Sequence, residues 1–211
     1  QDQALFVSML LTMPAAVALV ALAEPIVRVL FERGAFDALA TTQTAEALIA
    51  FATGLPSYVL IRVLQPGFFA REDTLTPTIF AGVSVVANIT ISLLLFPSLL
   101  HVGIAIATAA SSWLNVVLLV ATLAVRGHFA LTWPQWRAQL AILVISLIMG
   151  AALWLLAVQG ADHLASGVPL WRQAGVLAAL IAFGVAVYFT LVHVSGTHDL
   201  RLLARRLRRR A

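Results

Sequence analysis

One arginine lies inside a long apolar run and is the first residue of this sequence that could do chemistry. Arg62 is part of the run YVLIRVLQPGFF. A guanidinium in such a run must reach water or bind an anion, because an unpaired charge in hydrocarbon is costly. If the segment enters the membrane near Thr44, Arg62 lies about 27 Å along a helix. Two interpretations stay open: a side chain that snorkels to the lipid headgroups, or a charge in a hydrated cavity on a substrate path.

The residues that follow Arg62 predict a loosened helix. Pro66 has no N–H to donate to the Arg62 carbonyl four residues earlier, and Gly67 permits a sharp bend. Further prolines lie in apolar runs: Pro14, Pro25 and Pro56. Several such prolines are typical of a transporter whose helices bend or rock, although static kinks give the same pattern.

Two stripes of polar residues lie on neighbouring apolar segments. The first stripe is Ser84, Asn88 and Ser92. The second is Thr108, Ser112 and Asn115. Each stripe falls on one face of a helix, which predicts either hydrogen bonds between packed helices or a water-lined wall. The candidates for contact with a substrate or cavity are therefore Arg62, Ser84, Asn88, Ser92, Thr108 and Asn115.

Nothing in the sequence indicates catalysis. Glu72 and Asp73 are adjacent acids without the spacing of a metal site, and a solvated turn with a helix cap explains them. The five histidines are scattered, the chain has no cysteine, and it lacks a phosphate loop, an HExxH and a GxSxG motif. We predict that the protein is not an enzyme and has no cofactor.

The composition predicts a membrane protein. Hydrophobic residues make up 62% of the 211 residues and charged residues 10%, whereas soluble domains are nearer half apolar and a quarter charged. Six segments, A to F, have the roughly 20 residues that cross a bilayer: 4–30, 43–69, 77–96, 102–125, 137–158 and 172–195. A large soluble helical core is the alternative. Because irregular backbone cannot span lipid, we predict an all-α, polytopic membrane helix bundle with about six transmembrane helices.

The links between these segments are short and contain helix-start signals. The stretch Thr132-Trp133-Pro134-Gln135 combines an N-cap threonine, a first-turn proline and a capping-box glutamine before segment E. Thr76-Pro77 predicts a similar start for segment C. The predicted link between C and D is PSLLH.

The arginines predict the orientation of the spans. With six spans, the N-terminus, the B–C and D–E links and the C-terminal tail share one side. That side holds Arg71, Arg126, Arg137 and six arginines of the tail. The other side holds Arg28, Arg33 and Arg172. Because cytoplasmic loops are rich in basic residues, both ends of the chain are predicted to be cytoplasmic.

The two ends of the chain carry further information. The segment 199–211 is rich in arginine and has Leu200, Leu203 and Leu207 on one face. It predicts either an interfacial helix on anionic membrane lipids or a plain topology anchor. Nucleic acid is not expected as a partner, because this basic cluster follows a hydrophobic span. The chain begins at Gln1 without a signal-peptide pattern, so we expect a piece of a longer membrane protein.

Two motifs lie within residues 30–80. One is FERGAF at 31–36, and the other is QPGFFAREDT at 65–74, followed by Thr76-Pro77. Together they resemble the MurJ/MviN lipid II flippases of the MOP exporter superfamily. The resemblance implies motif or hinge roles for Gly34, Pro66, Gly67, Phe68, Arg71 and Asp73.

The resemblance also implies a fold of fourteen helices with both termini cytoplasmic. Two six-helix lobes form a V-shaped cavity, and two more helices form a groove for a lipid tail. Segments A to F then resemble helices nine to fourteen. Residues 1–126 would be the last four helices of the C-terminal lobe, 127–198 the groove pair, and 199–211 a cytoplasmic arginine-rich tail.

The implied function is part of an alternating-access exporter of lipid II, the undecaprenyl-linked peptidoglycan precursor, in the bacterial cytoplasmic (inner) membrane. Its partners would be a polyprenyl-pyrophosphate lipid and the missing N-terminal helices, with Arg62 near the cytoplasmic mouth of the cavity. Other MOP-type exporters, of polyprenyl-linked oligosaccharides or drugs, are the alternative. Some members of the family bind sodium, and Asn88 and Thr108 are the sodium candidates here, whereas Ser92 stands where a carboxylate is expected.

Overall fold

Every regular element in the described part of the chain is helical. The computed structural model describes residues 2–127, 132–165 and 167–195. Its helices are α1 Asp2–Ala21, α2 Ala23–Phe31, α3 Ala38–Phe69, α4 Leu75–Val125, α5 Trp133–Gln159 and α6 Leu170–Val194, with a short 3-10 turn at Ala161–His163. All but α2 contain a stretch that is long and apolar enough to cross a membrane. The predicted all-α membrane bundle is confirmed.

The longest helix, α4, is a hairpin. Leu100 has φ 49° and ψ −127°, outside the helical region, and the chain reverses there. Asp73 and Arg126 flank the two ends of α4 and form an ion pair of 2.5 Å, although a straight helix of 51 residues would be about 77 Å long. α4 therefore has two antiparallel arms, 75–99 and 101–125. With both arms, the described part of the chain has the six predicted passes.

Three predicted boundaries were wrong, and prolines and acidic caps explain two of them. Segment A breaks at Leu22 into α1 and α2, because Pro25 has no N–H for the Ala21 carbonyl. Segment B begins at Ala38 rather than residue 43, since the Ala40 N–H donates to the Asp37 carboxylate at 2.8 Å. The predicted C–D link remains helical except at the reversal.

Of the two predicted helix starts, the one of segment E is confirmed and the one of segment C is not. The Thr132 N–H donates to Gln135 Oε1 at 2.7 Å, so the predicted capping box of α5 is confirmed. α4 begins at Leu75, before Thr76-Pro77, with Thr74 in the N-cap position. The Thr76 N–H instead donates to Asp73 Oδ1 at 3.0 Å, so the acidic residue caps this helix.

Two groups of helices pack around separate apolar cores. The larger core joins α1 and α2 to α5 and α6, and a smaller one joins α3 to α4. A Cβ at Gly184 of α6 would lie 2.9 Å from Leu153 Cδ1 of α5, so these two helices are in close contact. Small residues permit the tight helix packing that apolar attraction alone does not drive in lipid.

α3 and the second arm of α4 run parallel. Gly54 lies against Ala109, with a Cβ-to-Cα distance of 3.2 Å for a side chain added at the glycine. Ser57 Oγ lies 2.5 Å from Ser112 Oγ. The two residues of each pair are 55 positions apart in sequence, so the register between the helices is constant over this stretch.

A proline and a tyrosine connect the first and last helices. Pro14 has no N–H to donate to the Leu10 carbonyl inside α1. The Tyr188 hydroxyl of α6 donates to that carbonyl at 2.7 Å, and Tyr188 is only 2% exposed. The backbone group released by proline is thus satisfied by a distant helix, as buried backbone in lipid requires.

We expect Tyr188→Phe to lower the free energy of unfolding by about 1 kcal/mol, the usual contribution of one such hydrogen bond. In a Pro14→Ala background the loss should be smaller, because the alanine backbone N–H at this position then supplies a donor to the Leu10 carbonyl. A double-mutant cycle measured by thermal unfolding of the purified full-length protein checks this. Additive losses would contradict the assignment of the Leu10 carbonyl as the partner.

Candidate functional site

Arg62 is the one arginine in the interior of a described long apolar helix. It lies on α3, seven residues before the end of the helix at Phe69, or about 11 Å from that end. Its side chain is exposed, and no hydrogen bond or ion pair to another described residue is formed. α3 continues through Pro66 without a break in helical structure. The placement leaves the guanidinium available to a group outside this chain.

The second motif forms a compact structure that we call the α3–α4 clamp, consisting of Phe68, Arg71, Asp73, Thr76 and Arg126. Asp73 Oδ2 accepts from Arg126 Nη1 at 2.5 Å and from the Thr76 hydroxyl at 2.7 Å. The Arg126 guanidinium lies 5.9 Å from the centre of the Phe68 ring. The clamp therefore connects the end of α3 to both ends of the α4 hairpin.

The remaining residues of this motif complete the turn between α3 and α4. Arg71 Nη1 donates to the Gly67 carbonyl at 2.5 Å, which satisfies a carbonyl near the C-terminal end of α3. Phe68 is 1% exposed and packs against Leu64, Val116 and Leu119. Sequence reasoning singled out this motif but missed Arg126 as the partner of Asp73, because the two are distant in sequence.

The clamp sets the ionisation of Asp73. The hydrogen bond from Arg126, followed by those from the Thr76 backbone and side chain, lowers the pKa of Asp73 to about 2. A depressed pKa contributes stability that is present above the unfolded-state value of 3.8 and is lost as the pH falls toward 2. The clamp should therefore be fully formed at neutral pH.

We expect Asp73→Asn to lower the melting temperature of the full-length protein at pH 7, because Arg126 loses its ionic partner. The difference from the unsubstituted protein should stay constant down to about pH 5 and shrink between pH 4 and pH 2, where Asp73 itself becomes protonated. Glu72→Gln is the matched control, since Glu72 is the adjacent acid and is exposed. Equal effects of the two substitutions would contradict the clamp.

The two polar stripes meet where the arms of α4 face each other. Asn88 Nδ2 donates to Thr108 Oγ1 at 3.4 Å, and the Ser92 hydroxyl donates to Asn88 Oδ1 at 3.1 Å. The Thr108 hydroxyl donates to the Ile104 carbonyl at 2.8 Å. Of these three bonds, the one from Asn88 to Thr108 joins the two arms, as one of the two interpretations of the stripes expects, while contact with a substrate remains a prediction.

The Asn88 cluster does not fit a sodium ion well. Asn88, Ser92 and Thr108 supply only neutral oxygens, and Asn88 Oδ1 already accepts from Ser92. A hard cation is usually held by oxygen ligands that include carboxylates. Within the described ranges, no cluster of acidic or histidine side chains of metal-binding size occurs. We derive no transport step through sodium at this position.

The other stripe residues lie deeper in the helix seams. Ser84 is buried and its hydroxyl donates to the Phe80 carbonyl at 2.8 Å. Ser112 pairs with Ser57 of α3, a buried hydroxyl that sequence reasoning missed. Asn115 is 8% exposed, and its Oδ1 has no donor among the described residues. No described contact links any of these side chains to Arg62.

The first motif lies at the opposite end of the bundle from the clamp. Gly34 has φ +60°, a conformation that favours glycine in the turn between α2 and α3. Arg33 Nη2 donates to the Val29 carbonyl at 2.6 Å, and Arg28 pairs with Glu24 at 2.5 Å and with Glu32 at 3.3 Å. A cleft of about 200 Å³, the α2–α6 cleft, is lined by Arg28, Glu32, Arg33, Gly167, Val168, Leu170 and Gln173.

An apolar groove of about 290 Å³ lies between α1, α5 and α6. Pro14 of α1, Met149 of α5 and Phe189 of α6 are among its lining residues. Tyr188 also lines the groove, and its hydroxyl donates a hydrogen bond to the Leu10 carbonyl. A surface of this kind accommodates a hydrocarbon chain.

Comparison with known proteins identifies relatives of this chain. The family described as lipid II flippase MurJ matches residues 1–173. A probable lipid II flippase MurJ of Rhizobium tropici is 43% identical over 210 residues, covering 100% of this chain and 39% of that protein. The corresponding protein of Rhizobium meliloti is 42% identical over 211 residues, with the same shares covered. A lipid II flippase MurJ of Burkholderia cenocepacia is 32% identical over 197 residues, covering 92% of this chain and 38% of that protein.

A solved structure of a lipid II flippase MurJ in an inward closed conformation has the same arrangement of helices. The TM-score is 0.74 at 25% sequence identity, and the match covers 92% of this chain and 38% of that one. The chain thus spans about two fifths of the length of the relatives it matches. The matched part is their C-terminal portion. The matched residues and the shared helical arrangement together show that this chain belongs to the MurJ family of lipid II flippases.

Proposed function

We propose that this chain is part of a transporter that moves lipid II across the bacterial inner membrane by alternating access. The observation that carries the proposal is the identity of 43% over the whole chain to a probable lipid II flippase. The five long apolar helices, one of which is the α4 hairpin with two arms, are what a unit that moves a lipid across a bilayer requires. The transporting unit would include the N-terminal helices that the relatives possess beyond the matched portion.

Arg62 is the residue that we propose for contact with the substrate headgroup. A polyprenyl-linked diphosphate is anionic, and guanidinium groups bind phosphate oxygens through paired N–H donors. Exposure on α3 and freedom from any partner among the described residues support this role. Tyr58 and Gln65 lie one turn away on either side of Arg62 at helical spacing, so a headgroup there would meet further polar side chains.

We propose the predicted division of the chain: 1–126 as the last helices of a transport lobe and 127–198 as a pair that forms a lipid-tail groove. The apolar groove supports this, because α5 and α6 form two of its walls. The third wall is α1, so the groove would be shared between the pair and the lobe. A polyprenyl chain bound there would remain in an apolar environment while the headgroup crosses the cavity.

We propose that the clamp lies on the cytoplasmic side and the α2–α6 cleft on the outer side. The described residues carry similar numbers of arginines at the two ends of the helix bundle. The six arginines of 199–211 therefore determine which end we assign to the cytoplasm. That tail, proposed to lie on anionic lipids, falls outside the described residues.

On α5, the exposed Trp136 and Trp154 are 18 residues, or about 27 Å, apart, which matches two interfacial aromatic belts.

The proposal is tested by growth rescue. The full-length gene should restore growth, and deplete intracellular lipid II, in cells from which the native lipid II flippase has been withdrawn. A matched culture that lacks only the capacity to export a polyprenyl-linked oligosaccharide should not be rescued. Failure of rescue by a well-expressed protein, or rescue of the second culture alone, would overturn lipid II as the substrate.

A further inference from the structure

We propose that the backbone carbonyl of Arg62 is a second substrate contact, which accepts a hydrogen bond from the sugar beside the diphosphate. This inference rests on the proposed function and adds a specificity-determining group to the guanidinium. Pro66 lies inside α3 and has no N–H, so the carbonyl four residues earlier lacks the donor of an uninterrupted helix. The proline therefore makes a backbone oxygen available as an acceptor.

The Arg62 carbonyl lies on an exposed face of α3. A helix carbonyl points along the axis toward the residue four positions later, which places this oxygen between the side chains of Arg62 and Pro66. Both side chains are exposed, and Gln65 beside them is half-buried. In the part of the chain that the structure describes, no side chain donates to this oxygen. A donor must therefore come from water or from a ligand.

A second proline shows how such a carbonyl is satisfied when it faces protein. Pro14 releases the Leu10 carbonyl of α1, and the Tyr188 hydroxyl of α6 donates to it at 2.7 Å. That contact is buried, since Tyr188 is only 2% exposed. Backbone acceptors at membrane depth need a donor. The exposed carbonyl on α3 has the same requirement without a neighbouring helix to meet it.

The carbonyl also distinguishes the two interpretations of Arg62. An arginine side chain can extend to the lipid headgroups while its Cα stays in hydrocarbon, but a backbone carbonyl is fixed to its helix. If this face of α3 met lipid tails, the carbonyl would lose its hydrogen bonds to water without replacement, which is costly. Two polar groups on one face, one of them immovable, favour a hydrated cavity over contact with lipid.

The two groups together select a ligand in which an anion and a hydrogen-bond donor are adjacent. A guanidinium binds phosphate oxygens through paired N–H groups, whereas a carbonyl accepts only from a donor such as a hydroxyl or an amide N–H. A diphosphate that bears a sugar offers both, and a bare polyprenyl diphosphate lacks the sugar donors. Helix side chains tilt toward the N-terminus and carbonyls point toward the C-terminus, so the sugar would lie nearer the clamp than the diphosphate does.

The test is ligand binding by the purified full-length protein in phosphatidylcholine nanodiscs, measured by native mass spectrometry. Undecaprenyl diphosphate is compared with the same lipid bearing one N-acetylhexosamine. Pro66→Ala restores an N–H to the Arg62 carbonyl. It should weaken binding of the sugar-bearing lipid about threefold to tenfold, the range for one hydrogen bond, and leave the bare diphosphate unchanged. Arg62→Ala should weaken both lipids by the same factor.

Pro97→Ala is the matched control. Pro97 is also an exposed proline inside a helix, but it lies on α4 and the residue four positions earlier is Leu93, not an arginine. Its replacement should change the binding of neither lipid.

The pattern of losses decides the proposal. A loss in Pro66→Ala that is confined to the sugar-bearing lipid supports it. Equal losses for the two lipids would mean that Pro66 acts only as a hinge and would overturn the proposal, as would no loss or the same loss in Pro97→Ala. If the unsubstituted protein binds neither lipid and fails in growth rescue, the proposed function itself is overturned, and this inference with it.

Discussion

Arg62→Glu in the full-length protein is expected to abolish growth rescue, and Arg62→Ala to reduce substrate export at least about tenfold. The physical reason is that a guanidinium contributes about 1.5–3 kcal/mol through charge-assisted hydrogen bonds to an anion, and that a carboxylate at the same position repels a diphosphate. Arg62→Lys should retain part of the activity, because the charge remains while the paired donor geometry is lost. The measurement is lipid II export together with growth after withdrawal of the native flippase.

The control for Arg62 is Arg137→Ala. Arg137 is also exposed and lies near the start of α5, where an arginine at the membrane boundary would only snorkel. If both alanine variants export lipid II normally and are equally abundant in the membrane, Arg62 contacts the headgroups of membrane lipids and not the substrate. If only the Arg62 variant fails while its melting temperature is unchanged, its side chain acts on the substrate.

Gly103→Leu is expected to destabilise the protein strongly, with a fall of several degrees in melting temperature. A Cβ at Gly103 would lie 2.9 Å from Leu95 Cβ and 3.0 Å from the Leu95 backbone carbon and oxygen. Because backbone atoms cannot rotate away as a side chain does, the two arms of α4 would have to separate near the reversal at Leu100. Overpacking of this kind costs about 1–3 kcal/mol or more, and separation of the arms would also lengthen the bond between Asn88 and Thr108.

Gly82→Leu is the matched control on the first arm of the same hairpin. A Cβ at Gly82 meets no atom within 4 Å, and leucine is a better helix former than glycine by about 1 kcal/mol. The melting temperature of this variant should therefore be unchanged or higher. Equal destabilisation at both positions would show that the close approach of the arms at Gly103 is not what limits substitution there.

The sequence by itself determined the class of this protein and the number of its passes. The apolar segments are long enough to cross a bilayer, and the cost of unpaired backbone in lipid leaves the helix as their structure. The capping box at Thr132 is equally local, since its two partners are three residues apart. The motif around Asp73 also identified the family, because its residues are contiguous.

Only the tertiary structure decided which groups are partners. Arg126 reaches Asp73, Ser112 pairs with Ser57, and Tyr188 donates to a carbonyl that Pro14 leaves free in another helix. Each of these contacts joins residues more than about 50 positions apart, and no local pattern encodes such a distance. The periodicity of a helix specifies which residues share a face, but packing determines which helix lies against that face. Small residues such as Gly54 and Gly103 allow two helices to approach closely. The polar groups at each contact then form hydrogen bonds across it.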